Sequence, residues 1–247
     1  VIILALNGKL DIGPVKLGDH MFHLISQIQN NLALDKIKFL SNFEYKSSPY
    51  ASVKFPEIGR NINLFNIIDE PPKNSSISTK KELDHIHKLT TSRSKEDKDL
   101  VYLVDTNPML LFDSLIQQYD MKFDLQLFNK AFITVIVSII DHLKYFYNRA
   151  RPIQIAQKLD IPIDVIVTAT HHTPSYPSGH TMYAAFIGEL LKKDYPEHTN
   201  KIDQLVRKTG YARVLQGVHY PSDNIAAIKI VNKIFPNIHS NILKESK

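Results

Sequence analysis

The chain has no cysteine and no tryptophan among its 247 residues, and only eight glycines. Without cysteine there is no disulfide and no thiolate metal ligand, and the redox compartment leaves no trace. Long hydrophobic runs are scarce as well. The longest clean one, Ala131 to Ile140, is about half of the ~20 residues a membrane-spanning helix needs. Asp141, His142 and Lys144 follow in the next turn, so no transmembrane segment is expected. The opening "VIILALNG" has no basic region before its apolar patch and predicts no clear signal peptide. The compartment stays unknown.

A hydrophobic content of 43% is enough for a core, and the length suits a single domain over 1–247. Residues 1–75 read as loop-rich, and about 76–240 as a helical core. The balance of 30 Lys+Arg against 25 Asp+Glu, net +5, suits a small anionic substrate. Nucleic acid is not expected, because pairs such as Lys80-Lys81 and Lys192-Lys193 lack interleaved aromatics. Oligomerisation with a second copy is left open.

Apolar spacing predicts a helix through Ile77, Leu83, Ile86 and Leu89, with Ser78 and Thr79 as caps. A polar break "TTSRSKEDKD" precedes an apolar segment, Leu100 to Ile116, that Pro108 kinks or divides. A helix from Asn129 to Asn148 is expected to end through Pro152 and its restriction on Arg151. Two more follow, Thr181–Lys193 and Thr199–Leu215. A last one starts at Ser222 or Asp223 and carries Ile225, Ile228 and Val231 as its apolar stripe. No segment alternates with a period of two, so the fold class is all-α, a helical bundle.

Three clusters carry chemistry. In "KYFYNRARP", Lys144 and Arg151 are seven residues apart, two turns of one helix and hence one face, with Arg149 off that face as a surface charge. Such a pair is either a solvated basic helix end or a grip on an anion. In "YPSGH", Ser178 and the N–H groups of Gly179 and His180 stand at a helix start, as an ordinary cap or an anion site. In "ARVLQGVHYPSD", His219 and Asp223 at i and i+4 are either a structural pair or an imidazole oriented for nucleophilic or base chemistry.

Together the three, Lys-x6-Arg-Pro, Pro-Ser-Gly-His and Arg-x5-His-x3-Asp, resemble the signature of the type 2 phosphatidic acid phosphatase superfamily, which includes acid phosphatases and vanadium-dependent haloperoxidases. The likeness covers Lys144 to Asp223 and is nearest the soluble acid phosphatase type. It implies the helical bundle of that superfamily and a metal-independent phosphatase acting on phosphomonoesters, either small phosphorylated substrates or lipid head groups. Lys144, Arg151, Ser178, Gly179 and Arg213 would bind the phosphoryl oxygens. His219 would become a phosphohistidine, oriented by Asp223, and His180 would protonate the leaving group. No cofactor is implied for that activity. Ala212 departs from the usual serine and removes a hydroxyl but no charge. The alternative within the resemblance is a vanadium-dependent haloperoxidase with vanadate on His219. Its bromide type tends to have a histidine where Thr173 stands, with His171 and His172 just outside that register. A non-catalytic anion-binding member is the third reading.

His20/His23 and His85/His87 have metal-compatible spacings without acidic or cysteine partners and read as surface histidines. Tyr145, Phe146 and Tyr147 read as core packing, or as an aromatic substrate mouth.

Overall fold

The computed structural model describes residues 16–52 and 68–245. The N-terminal "VIILALNG" lies outside the described residues, as does the side chain of His20. The architecture is all-α. Among the described residues no strand forms, and one isolated antiparallel bridge joins Lys38 to Arg149. The helices are α1 (Lys16–Asp35), α2 (Ile77–Thr91), α3 (Lys95–Thr106), α4 (Leu110–Gln118), α5 (Leu125–Ala131), α6 (Val137–Tyr147), α7 (Pro152–Ala156), α8 (Gly179–Asp194), α9 (Thr199–Leu215) and α10 (Pro221–Glu245). Within the stretch expected to be loop-rich, α1 is a helix of 20 residues.

Side-chain capping sets several boundaries. Ser76 caps α2 by accepting from the Thr79 N–H at 3.1 Å, in place of the expected Ser78 and Thr79. The Thr79 hydroxyl is turned inward instead, onto the Lys73 carbonyl at 2.8 Å. Ser94 and Asp97 form a reciprocal capping box, so α3 begins inside the stretch read as a polar break. Pro108 then lies in the turn that separates α3 from α4.

The apolar segment ahead of Lys144 is helical throughout. A π-turn, Phe132–Ile136, joins α5 to α6. The run ends at Asn148 in the left-handed region, φ 46°, four residues before the proline expected to end it. Asparagine tolerates that conformation, and its amide is held by the Leu40 N–H at 3.0 Å and the Leu40 carbonyl at 2.9 Å. The full run, Leu125–Tyr147, has 23 residues and holds an 18-residue window of mean hydropathy 1.2, so among the described residues one helix is long and apolar enough to cross a membrane by length and composition. This corrects the expectation that none is; the helix starts four residues before the expected Asn129. It packs Phe128, Val135, Ile136, Ile139 and Leu143 into the protein core.

Helix α8 lies at the centre, against both α9 and α10. It buries Met182, Ala184, Ala185, Phe186 and Ile187. The face α10 turns inward is Ala227, Ile230, Val231, Ile234 and Ile238, whereas Ile225, expected in the stripe, is 67% exposed. Gly188 permits the α8–α9 approach, since a Cβ there would lie 2.9 Å from Val206 Cγ2 and 3.3 Å from Ile202 Cγ2. Both neighbours are β-branched and stiff. Gly188→Ala is therefore expected to destabilise by about 1 kcal/mol, overpacking outweighing the gain in helix propensity. A urea midpoint that rises or stays put contradicts this.

Candidate active site

The bundle brings the three sequence clusters to one place. Lys144 comes from the last turn of α6, and its ammonium donates to the Pro174 carbonyl. Arg151 is the extended N-cap of α7, φ −71° and ψ 155°. It therefore does not share a helix face with Lys144 as the seven-residue spacing suggests, because Asn148 breaks the helix between them. Both cations still reach the same centre. Arg151 donates from Nε to the Thr173 carbonyl at 2.9 Å, and from Nη1 to the Val218 carbonyl at 2.7 Å and to His219 Nε2 at 3.0 Å. Arg213, from the last turn of α9, completes the set, and all three cations are buried.

His219 precedes α10, and Asp223 is in that helix's first turn. His219 Nδ1 lies 3.0 Å from Asp223 Oδ2, which also accepts the Tyr220 N–H at 3.0 Å. A carboxylate on Nδ1 and a guanidinium donor on Nε2 together select the Nδ1–H tautomer, leaving the Nε2 lone pair directed into the cationic cluster. Burial, then the charges of Arg151, Lys144 and Arg213, push His219 well below its ordinary pKa, so the imidazole is neutral.

The other cationic groups shift the same way. Burial and Arg151 push Lys144 well down, and burial drives Arg151 down to about 9 and lowers Arg213. Burial and Arg213 bring His180 down to about 3. A buried site in which burial disfavours the charge of these three cations is stabilised by taking an anion.

Ser178, Gly179 and His180 open α8. The Ser178 N–H donates to the Asp223 carbonyl at 3.2 Å, which seats this helix start against that of α10. The Thr181 hydroxyl donates to Asn224 Oδ1 at 2.8 Å, and Asn224 Nδ2 donates to the Gly210 carbonyl at 2.9 Å. Ser178 Oγ, 2.9 Å from Thr181 Oγ1, is thus left as the donor in that pair, and its proton points into the fold. At Gly179 a Cβ would meet Ile140 at an ordinary 3.7 Å, so packing does not demand glycine there. His180 Nε2 is 3.5 Å from the Asp105 carbonyl.

Three functional neighbours were not found from the sequence. Arg149, read as a surface charge, is buried with 3% side-chain exposure and pairs with Asp223 at 2.6 Å. Its extended backbone position after Asn148 turns it inward. Glu82 of α2 stands behind it at 3.4 Å. Asp105, at the end of α3, accepts from Arg213 at 2.5 Å, from the Thr168 hydroxyl at 3.0 Å and from the Thr170 hydroxyl. Ala212 is fully buried on α9 next to Arg213.

Beside the cluster, Phe39, Ile153, Val165, Val167, Arg151 and His171 line an apolar pocket of about 290 Å³. His171 and His172 stack with ring centroids 4.8 Å apart. Tyr145 and Tyr147 are half-buried and Phe146 exposed. His85 is exposed, and His87 Nδ1 is 2.5 Å from the Pro162 carbonyl. Among the described residues no group of three or more His, Asp or Glu could hold a metal ion.

Residues 126–230 match the PAP2 superfamily model, and the superfamily likeness read from the three motifs is shown by that match. The fold resembles a bacterial vanadium-dependent chloroperoxidase. For its holo form the TM-score is 0.57 at 13% identity, over 79% of this chain and 54% of that one. For its apo form the TM-score is 0.59 at 13% identity, over 84% and 57%. The chain thus spans little more than half the length of these proteins. A transmembrane PAP2-type phosphatidylglycerolphosphate phosphatase from Bacillus subtilis aligns with a TM-score of 0.43 at 18% identity, over 68% of this chain and 88% of that one. No curated protein matches the chain. At such identities the chloroperoxidase likeness shows the all-α fold alone.

Because burial and the charge of Arg213 hold His180 neutral, a bound dianion, which offsets that charge, should let it take up a proton. Sulfate, which stays doubly charged in mildly acidic buffer, isolates the effect. Its calorimetric binding enthalpy is expected to depend on the buffer's ionisation enthalpy in the sense of proton uptake, less so in His180→Ala. An uptake unchanged by that substitution contradicts the assignment.

Proposed function

We propose that the chain is a metal-independent phosphatase that hydrolyses phosphomonoesters through a phosphohistidine. The observation that carries this reading is the oriented His219: Nδ1–H held by Asp223, Nε2 directed at a buried cluster of three cations. Lys144, Arg151 and Arg213, with the N–H groups at the start of α8 and Ser178, would hold the phosphoryl oxygens. Charge spread over those oxygens is what such a set stabilises. For Ser178 to donate, its hydroxyl must turn away from Thr181. Gly179 would let the phosphoryl group approach the backbone closely.

In the first step the Nε2 lone pair of His219 forms the N–P bond as the P–O bond to the leaving group breaks, and His180 gives that oxygen its proton. In the second, water attacks phosphorus, the N–P bond breaks, and the water's proton passes to His180. Phosphate leaves and both histidines are regenerated. Asp223 keeps the attacking nitrogen free of a proton and stabilises the charge that builds on the ring. Asp105 and Thr170 take Arg213 Nη1 and Nη2, and Nε is left without a partner among the described residues. The apolar pocket beside Arg151 suits an apolar leaving group presented from the aqueous side.

A second reading is favoured by the chloroperoxidase likeness in fold. The residues present fit vanadate, with His219 Nε2 as the ligand atom and the same cations around its oxygens. Bound vanadate would supply peroxide activation for halide oxidation.

His219→Ala is expected to abolish phosphate release from p-nitrophenyl phosphate, and Asp223→Asn to lower it severely. Replacing one cage cation should cost on the order of 10²–10³ in rate. EDTA should leave the wild type unaffected. Full phosphatase activity in His219→Ala contradicts the proposal; halogenation with vanadate and peroxide, without phosphatase activity, selects the second reading. Anion binding with neither activity marks a non-catalytic member.

A further inference from the structure

Resting on the phosphohistidine reading, we propose that Arg149 and Glu82 are positioning residues, an ion-pair relay that holds the Asp223 carboxylate ionised and aligned on His219. The carboxylate divides its oxygens between two sides of the site. Oδ2 faces His219 and the Tyr220 N–H, while Oδ1 takes Arg149 Nη1 at 2.6 Å. Arg149 does not touch His219; that contact belongs to Arg151. Its own position is set from behind. Nη1 also donates to Ser222 Oγ at 2.8 Å, and Nη2 reaches Glu82 Oε2 at 3.4 Å. Glu82 accepts the Ser222 N–H at 2.6 Å and the Ser222 hydroxyl at 3.0 Å. The guanidinium lies over the Tyr220 ring, 3.9 Å from its centroid. Glu82 therefore ties α2, outside the segment that carries the motifs, to the first turn of α10.

A carboxylate with no exposed surface favours its neutral form, and the nearest charge opposing this is Arg149. A neutral Asp223 would donate its proton to His219 Nδ1. The ring would then adopt the Nε2–H tautomer and lose the lone pair that attacks phosphorus. The other groups facing Asp223 are Lys144 of α6, Arg151 ahead of α7, Tyr176 ahead of α8, and His219 and Tyr220 ahead of α10. Lys144 and Arg151 serve the anion. Arg149 is the cation hydrogen-bonded to Asp223 on the side away from it.

The two residues carry opposite charges, so their removal has opposite signs. Losing Arg149 removes a positive charge, and the Asp223–His219 pair holds its protons to higher pH. Losing Glu82 removes a negative charge and does the reverse. A merely structural role would lower activity equally at every pH.

The test is the pH–rate profile of p-nitrophenyl phosphate hydrolysis, together with ¹⁵N NMR of the His219 ring in each protein. Arg149→Met is expected to lower kcat on the order of 10²-fold, below the ~10⁴ of disabling a triad carboxylate. KM should be little changed, and the acid limb should move to higher pH. Glu82→Gln should move that limb to lower pH, and Arg149→Lys should return it close to wild type. The wild-type ring should show the Nδ1–H tautomer and Arg149→Met the Nε2–H tautomer. Limbs displaced in the same direction, or unmoved, overturn the proposal. If Arg149→Met does not fold, the limbs and tautomers of Arg149→Lys and Glu82→Gln decide by the same signs. If the wild type releases no phosphate, the phosphatase reading fails while the NMR arm still judges the relay: a retained Nδ1–H form in Arg149→Met, or, where that variant does not fold, a pH titration of the His219 ring in Glu82→Gln that is unmoved or moves to higher pH, overturns it.

Discussion

The constraint on which the rest depends is the burial of four cations, Lys144, Arg149, Arg151 and Arg213, around a carboxylate with no exposed surface. A buried charge is tolerated only with partners. Asp223 answers Arg149, Asp105 answers Arg213, and Arg151 is held by two carbonyls and the His219 ring. Lys144 has a carbonyl oxygen but no carboxylate contact among the described residues. Positive charge therefore exceeds negative at this one place, and the excess lies on the side where His219 Nε2 emerges. That imbalance, rather than the modest net charge of the chain, is what makes the site a candidate for an anionic group.

The fold exists to hold this geometry. Helices α8, α9 and α10 pack through small residues and branched aliphatics, and a polar chain crosses them from Ser178 through Thr181 and Asn224 to the Gly210 carbonyl. It ties the start of α8 to the start of α10, fixing the N–H groups of one relative to His219 ahead of the other. The apolar helix run from Leu125 to Tyr147 supplies Lys144 from below, and Asn148 turns the chain so that Arg149 and Arg151 face opposite sides of Asp223. Helix α2, remote in sequence, adds Glu82 to the back of the cluster.

Much of this was legible in the residues. The all-α class followed from the periodicity, α9 has the expected bounds, and the three motifs do converge. What failed did so for specific reasons. The Lys144–Arg151 spacing matched two helical turns, but a left-handed asparagine between them replaced shared-face geometry with a turn. The same turn buried Arg149, which helical reckoning had placed on the surface. The start of α3 hid in a charged stretch because Ser94 and Asp97 satisfy each other's backbone there. Asp105 and Glu82 are single acids with no local pattern. Asp105 meets its arginine 108 positions along the chain, and Glu82 meets Arg149 67 positions along. Only the tertiary packing identifies them.

The central claim is that His219 Nε2 attacks phosphorus. The most direct measurement is mass spectrometry of enzyme quenched in base during turnover of p-nitrophenyl phosphate, since phosphohistidine does not survive acid. The account predicts a phosphoryl adduct on the peptide carrying His219, lost once the substrate is exhausted. Steady phosphate release with no adduct, or with one on a different residue, would contradict it.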